Sequence, residues 1–171
     1  MKQKILLAIT LAIACSFITK PFAFTLAALD PAKGTVKAIL EKSTATIQTK
    51  GKTSLTSSSY TISNTKSQIR IKIGEAVFQS ALENLNSLLS PSDYVVLYKL
   101  SSGKTNRSFT INTDGTTNAA LIPLNFIPGE TREKTRIMPA QALIPGEYAF
   151  VDRSTTTPEG NVTVWTFGID N

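Results

Sequence analysis

The sequence predicts a mainly β protein: an antiparallel β-sandwich of about seven to nine strands with one amphipathic helix, or alternatively a small β-barrel. Three observations carry this. Apolar and polar residues alternate with period two in segment after segment. The segments are short and separated by Gly, Pro and Asn turns. The chain, 171 residues with a single cysteine and no histidine, is long enough to bury a core without disulfide or zinc staples.

The first element is a leader. Lys2 and Lys4 precede an apolar run from Ile5 to Ile18, interrupted by Thr10 and Ser16, and small residues follow at Ala23, Ala27 and Ala28. That is the plan of a secretory signal peptide, and the run is shorter than the roughly 20 residues a spanning helix needs. Thr25 and Ala27 place a cut after Ala27. The expected organisation is a signal peptide over 1–27, an extension over 28–34 and one β domain over 35–171. The chain is therefore expected to be exported: periplasmic, outer-membrane-associated or secreted. Cys15 raises the alternative of acylation as a bacterial lipoprotein. Against it, Ala12 stands where such signals carry Leu or Val, and the following residues stay apolar. With Lys2, Lys4 and Lys20 removed, 15 basic groups face 12 acidic ones, a net charge of +3. This is too mild and too dispersed to indicate nucleic acid.

Strands follow in order. "TVKAILEK", "TATIQTK" and "SSYTISN" read as weaker strands, although the Ser/Thr-rich "TSLTSSSYTISNT" also suits a loop. "SQIRIKI" alternates Ile69, Ile71 and Ile73 with Gln68, Arg70 and Lys72. In "EAVFQSALENLNSLLSPSD", Phe78, Ala81, Leu82, Leu85, Leu88 and Leu89 recur at helical spacing, predicting a helix over Ala76 to Leu89 that Pro91 ends. "DYVVLYKL", Asp93 to Leu100, is apolar on both faces and reads as a central strand. "SSGK" joins it to "RSFTINT" as a hairpin, with Gly103 expected at positive φ. "ALIPLNFI" puts Ile122, Leu124 and Phe126 on one face, and Pro123 confines it to an edge or a break. "EYAFVD" and "VTVWTFGI" close the chain as a hairpin.

The tetrapeptide IPGE occurs twice, seventeen residues apart, at Ile127 and Ile144. Pro-Gly fits the centre of a type II turn, so the pair reads as one turn chemistry used twice rather than a repeated binding motif. Glu130 and Glu147 are then expected to accept backbone hydrogen bonds.

The second copy carries a resemblance. "ALIPGEYAFVD" followed by "VTVWTFGID" is similar to the C-terminal signature of a loosely defined group of bacterial secreted proteins, which pair a PGEYAF strand with a closing FGID or FGVD strand. "DYVVLYKLSSGKTNRSF" resembles their paired upstream strands, so the similarity spans roughly Ser67 to Asp170. It implies an exported, mostly β domain. It implies no activity and transfers no catalytic residues.

The absent side chains exclude much chemistry. Without histidine, and with no cysteine beyond Cys15, Ser-His-Asp and Cys-His catalysis and ordinary zinc or haem ligation lack their groups. The carboxylates are scattered, a Ser-Lys dyad is only formally possible, and "NTDGTTN" at Asn112 to Asn118 is an Asp-Gly turn before it is a calcium loop. Trp165 and Phe167 share a face of the last strand. They are expected to pack in the core with Tyr148 and Phe150, the sharper alternative being a surface aromatic patch. No catalytic, cofactor or metal residues are assigned, and no cofactor is expected. The expected function is non-catalytic binding of a protein or envelope component. The alternatives are carriage of a small apolar ligand, or a carboxylate-dependent hydrolase of envelope polymers needing two carboxylates about 5 to 10 Å apart.

Overall fold

The computed structural model describes residues 24–48, 57–82, 90–112, 118–129, 131, 134–156 and 160–171. Among them the fold is mainly β, in two packed sheets with antiparallel pairing almost throughout. The strands are β1 (Phe24–Leu29), β2 (Val36–Ile39), β3 (Glu41–Ile47), β4 (Ser57–Ser63), β5 (Arg70–Lys72), β6 (Phe78–Leu82), β7 (Val95–Lys99), β8 (Ser101–Ser102), β9 (Asn106–Asn112), β10 (Leu121–Ile122), β11 (Leu124–Pro128), β12 (Lys134–Pro139), β13 (Gly146–Asp152) and β14 (Val162–Asp170). They outnumber the expected seven to nine because long segments bend, or pass from one sheet to the other, at single residues. Leu40 separates β2 from β3, Leu100 separates β7 from β8, and Pro123 separates β10 from β11.

The smaller sheet has the order β11-β12-β6-β1-β2. The larger runs β10-β7-β13-β14-β3-β4-β9-β8, with β5 added in parallel beside the end of β14. Its last strand, β8, continues the same extended segment as β7, so this sheet curls back toward its own start. Inside the curl lie Ala45, Tyr60, Ile62, Tyr98, Leu100, Phe109, Ala149, Val151, Val162 and Val164. Tyr60 stacks on Phe109 at 5.3 Å between ring centroids, and Tyr98 tilts against it at 5.2 Å. The sandwich and the small barrel of the sequence reading thus coexist: one layer is a half-barrel.

Between the layers lies the second core. Leu26 and Phe78 of the smaller sheet meet Tyr148, Phe150, Trp165 and Phe167. Phe78 packs edge-on to Phe150 at 4.8 Å and against Phe167 at 4.7 Å. β13 and β14 therefore separate two cores, sending Tyr148 and Phe150 one way and Ala149 and Val151 the other. This two-sided burial explains why both read as nearly unbroken apolar runs. The hairpin register pairs Tyr148 with Phe167 and Phe150 with Trp165. The aromatics are interior, and the surface-patch alternative is overturned.

Several sequence expectations change. Phe78–Leu82, expected as the first half of a helix, is strand β6 between β1 and β12; residues 83–89 lie outside the described residues. Contacts of Phe78 across the sandwich override the local helical spacing. The short helix is instead Pro91–Tyr94, α1, which starts where the expected one ended. Pro91 suits its first turn, and the Ser90 N–H donates to Asp93 Oδ2 at 2.8 Å. Ile71 is buried and Ile69 packs on the core, but Ile73 is exposed because β5 pairs over three residues only. Gly103 does not take positive φ. It is needed for space, since a Cβ there would lie 2.6 Å from Asn106 Oδ1 while its N–H donates to the Asn106 carbonyl. The two IPGE copies are not one turn used twice. Pro128 ends β11, and Gly129, which is not at positive φ, donates to the Lys134 carbonyl. Gly146, at φ 156°, already begins β13. β1 also takes in Phe24 to Ala27, on the leader side of the expected cut.

Candidate functional site

Charged side chains from four distant segments meet where the interior of the curled sheet ends. Glu147 on β13 points inward in phase with Ala149 and Val151, and Arg107 on β9 points inward in phase with Phe109. Arg107 Nη1 donates to Glu147 Oε2 at 3.0 Å, and both residues are buried. The Ser67 N–H donates to the same oxygen at 2.8 Å. Arg70, the first residue of β5, donates from Nη1 to Glu147 Oε1 and grips Asp170, the last residue of β14, through Nε and Nη2. Arg107 Nε also donates to the Asn64 carbonyl at 3.1 Å, and Thr166 Oγ1 donates to Ser67 Oγ at 3.2 Å.

Glycine makes this arrangement possible. A Cβ at Gly168 would fall 1.7 Å from Arg70 Nη1, so the guanidinium lies across bare backbone of β14. The Asp170 hydrogen bond, reinforced by Glu147, raises the Arg70 pKa further, and Arg70 holds the Asp170 carboxyl below its usual range. Both Glu147 oxygens are filled by fixed donors. The cluster plugs one end of the curl and clasps the segment from Ser63 to Lys72 onto it. Glu147 accepts its backbone hydrogen bond from Ser67, eighty positions away, and not within its own turn as the sequence suggests. Glu130 lies outside the described residues.

A second buried carboxyl, Asp152, closes β13. Its Oδ1 accepts from Ser154 N at 2.9 Å and from Ser154 Oγ at 2.6 Å, capping the 3-10 turn at Arg153–Thr155. Its Oδ2 has no hydrogen-bond partner. Burial raises its pKa, and burial with the charges of Asp152 and Asp93 pushes the Tyr94 hydroxyl up to about 12.

Other sequence candidates are not assembled. Ser-x-x-Lys spacing occurs at Ser63–Lys66 and Ser101–Lys104, all exposed, and no hydrogen bond joins serine to lysine in either. Most of the Asn112–Asn118 loop lies outside the described residues. Among the described residues, no group of three or more carboxylates gathers as a metal site, and no helix is long and apolar enough to cross a membrane.

Of the exposed large apolar side chains, Val36, Ile39 and Ile127 lie on the smaller sheet. β2 is its edge, paired with β1 on one side, and among the described residues nothing pairs with its other side. Val36 is 54% and Ile39 66% exposed there. The Leu40 N–H donates inward to the Leu26 carbonyl, so by strand alternation the N–H and C=O of Ile39 point outward. The sequence showed a weak strand here but not that it would be an edge. Arg107 was detectable, since it shares the parity of Phe109 and Ile111 in "RSFTINT". No family model matches the chain, nor does any curated protein or solved structure.

Proposed function

We propose that this is an exported, non-catalytic β domain that binds another polypeptide of the cell envelope by accepting one of its extended segments beside β2. The observation that carries the reading is the open β2 edge, with outward backbone groups at Ile39 and two large apolar side chains in water. Natural sheets usually blunt such an edge, and one left open is a template for an added strand. The basic and apolar leader supports export, and the resemblance to secreted proteins agrees with it.

Two alternatives are less well supported. Carriage of an apolar ligand needs interior room, whereas Tyr60, Tyr98 and Phe109 pack ring against ring inside the curl. A hydrolase needs an accessible carboxylate pair. Among the described residues Arg70 brings Glu147 and Asp170 together, but one arginine binds both, and Glu147 is buried.

The test is a photo-crosslinker at Val36 in the native host's envelope, compared with the same protein carrying Ile39→Pro. A discrete adduct that disappears in the proline variant is expected, because proline removes the outward N–H and leaves the β1 ladder intact. A chain that yields no adduct at Val36, or one that Ile39→Pro leaves unchanged, overturns the reading.

A further inference from the structure

We propose that the outer face of the smaller sheet carries a phosphate-binding cleft, centred on Lys134 and Arg136 and separate from the β2 edge. The cleft has a volume of about 330 Å³ and lies between the β1–β2 loop and the β11–β12 hairpin, lined by Gly34, Gln79, Ile127, Pro128, Gly129 and the two cations. Lys134 and Arg136 are two residues apart on β12, so both project to the face opposite buried Ile137. Arg136 stands directly between Ile127 on β11 and Gln79 on β6. The loop backbone closes over it: a Cβ at Gly34 would lie 3.9 Å from Arg136 Nη2.

Among the described residues no carboxylate compensates the charge of this site. Arg70 and Arg107 are committed to carboxylates, but among the described residues neither Lys134 nor Arg136 has an ion-pair or hydrogen-bond partner. A planar guanidinium beside a lysine suits a phosphate. The fork takes two oxygens, the ammonium adds a point charge, and the Gln79 amide supplies a further donor. A phosphomonoester carries close to two negative charges at neutral pH, matching two cations, whereas a carboxylate matches one. Ile127 and Pro128 form an apolar rim for the carbon substituent.

Calorimetric titration of the full chain with glycerol 3-phosphate tests this, alongside co-sedimentation with phosphatidylcholine vesicles with and without phosphatidic acid. Saturable one-to-one binding is expected. It should weaken about tenfold in Lys134→Gln and in Arg136→Gln, the loss of one charge-assisted contact, and be unchanged in Lys104→Gln. Both replaced residues are exposed, so these variants keep the fold, and circular dichroism verifies it. Binding of glycerol 3-phosphate alone identifies a soluble phosphoester as the source; retention on phosphatidic acid vesicles identifies a lipid headgroup. The proposal is overturned if neither probe binds, if Lys104→Gln weakens binding as much as Arg136→Gln, or if acetate competes as well as the phosphoester. None of these outcomes depends on a partner at β2.

Discussion

Arg107 and Glu147 face each other inside the curled sheet, forty positions apart in sequence and on strands that are not neighbours, with Nη1 and Oε2 at 3.0 Å. The pair spans the Leu100 bend, whose own N–H donates to the Glu147 carbonyl. It holds the place where the curl nearly meets itself, and Arg70 ties β5 to the same carboxylate.

Removing that carboxylate strands Arg107 without its partner in a buried site. Glu147→Ala is expected to destabilise the fold by about 3–5 kcal/mol, the usual cost of breaking one side of a buried ion pair. Urea unfolding with an unchanged slope and a lower midpoint is the readout. Glu147→Gln, which still accepts hydrogen bonds, should lie between the variant and the parent. A near-parental midpoint for Glu147→Ala would show that water reaches Arg107 freely.

Gly168→Ala tests whether Arg70 truly lies on bare backbone. The added methyl occupies the guanidinium's position, so Arg70 must swing out and release Glu147. A cost of about 1–3 kcal/mol is expected. In an Arg70→Ala background the same methyl meets no guanidinium, and most of the cost should vanish. Additive losses in the double variant would count against the contact.

The strands that carry the two cores were readable and the links between them were not. "EYAFVD" and "VTVWTFGI" announced their pairing and two-sided burial through unbroken apolar runs. β6 was misread because Ser80, fully buried, occupies the inward position after Phe78 and hides a period of two, while Phe78, Ala81 and Leu82 offer a helical spacing. The clasp was half visible: Arg107 has the parity of core residues, but nothing local pairs it with Glu147. The second IPGE looked like a turn since identical residues can either end one strand or begin another. The edge status of β2 depends on which strands pair, a non-local property that local alternation does not encode.

Asp152 gives a pH signature. Its folded-state carboxyl titrates above the ordinary value of 3.8 because it is buried. Between the ordinary and the raised value the native state therefore holds more protons than the unfolded chain. This contribution to stability is fully present below the ordinary value and is lost as pH rises through the raised one. Asp152→Asn keeps an oxygen for Ser154 and removes the buried charge. Melting temperatures over roughly pH 4 to 8 should fall less with rising pH in the variant than in the parent. Parallel profiles would mean that Asp152 is ionised throughout at no cost.

If the chain is exported as proposed, β1 limits where the mature form can begin. β1 is an interior strand of the smaller sheet: Phe24 to Ala28 pair with Leu82 to Phe78, and Ala27 to Leu29 pair with β2. Leu26 is completely buried in the inter-layer core. A cut after Ala27 removes four of the six β1 residues, forfeits about 1.5–3 kcal/mol for burial of Leu26 alone, and opens the backbone of β6 along most of its length. A cut after Ala23 also leaves a small residue at the end of the leader and spares the whole strand. The intact mass of protein recovered from the host's envelope should therefore correspond to a start at Phe24 or earlier. A stable, folded species beginning at Ala28 would show that β6 is held by β12 and the core alone, and that β1 is dispensable.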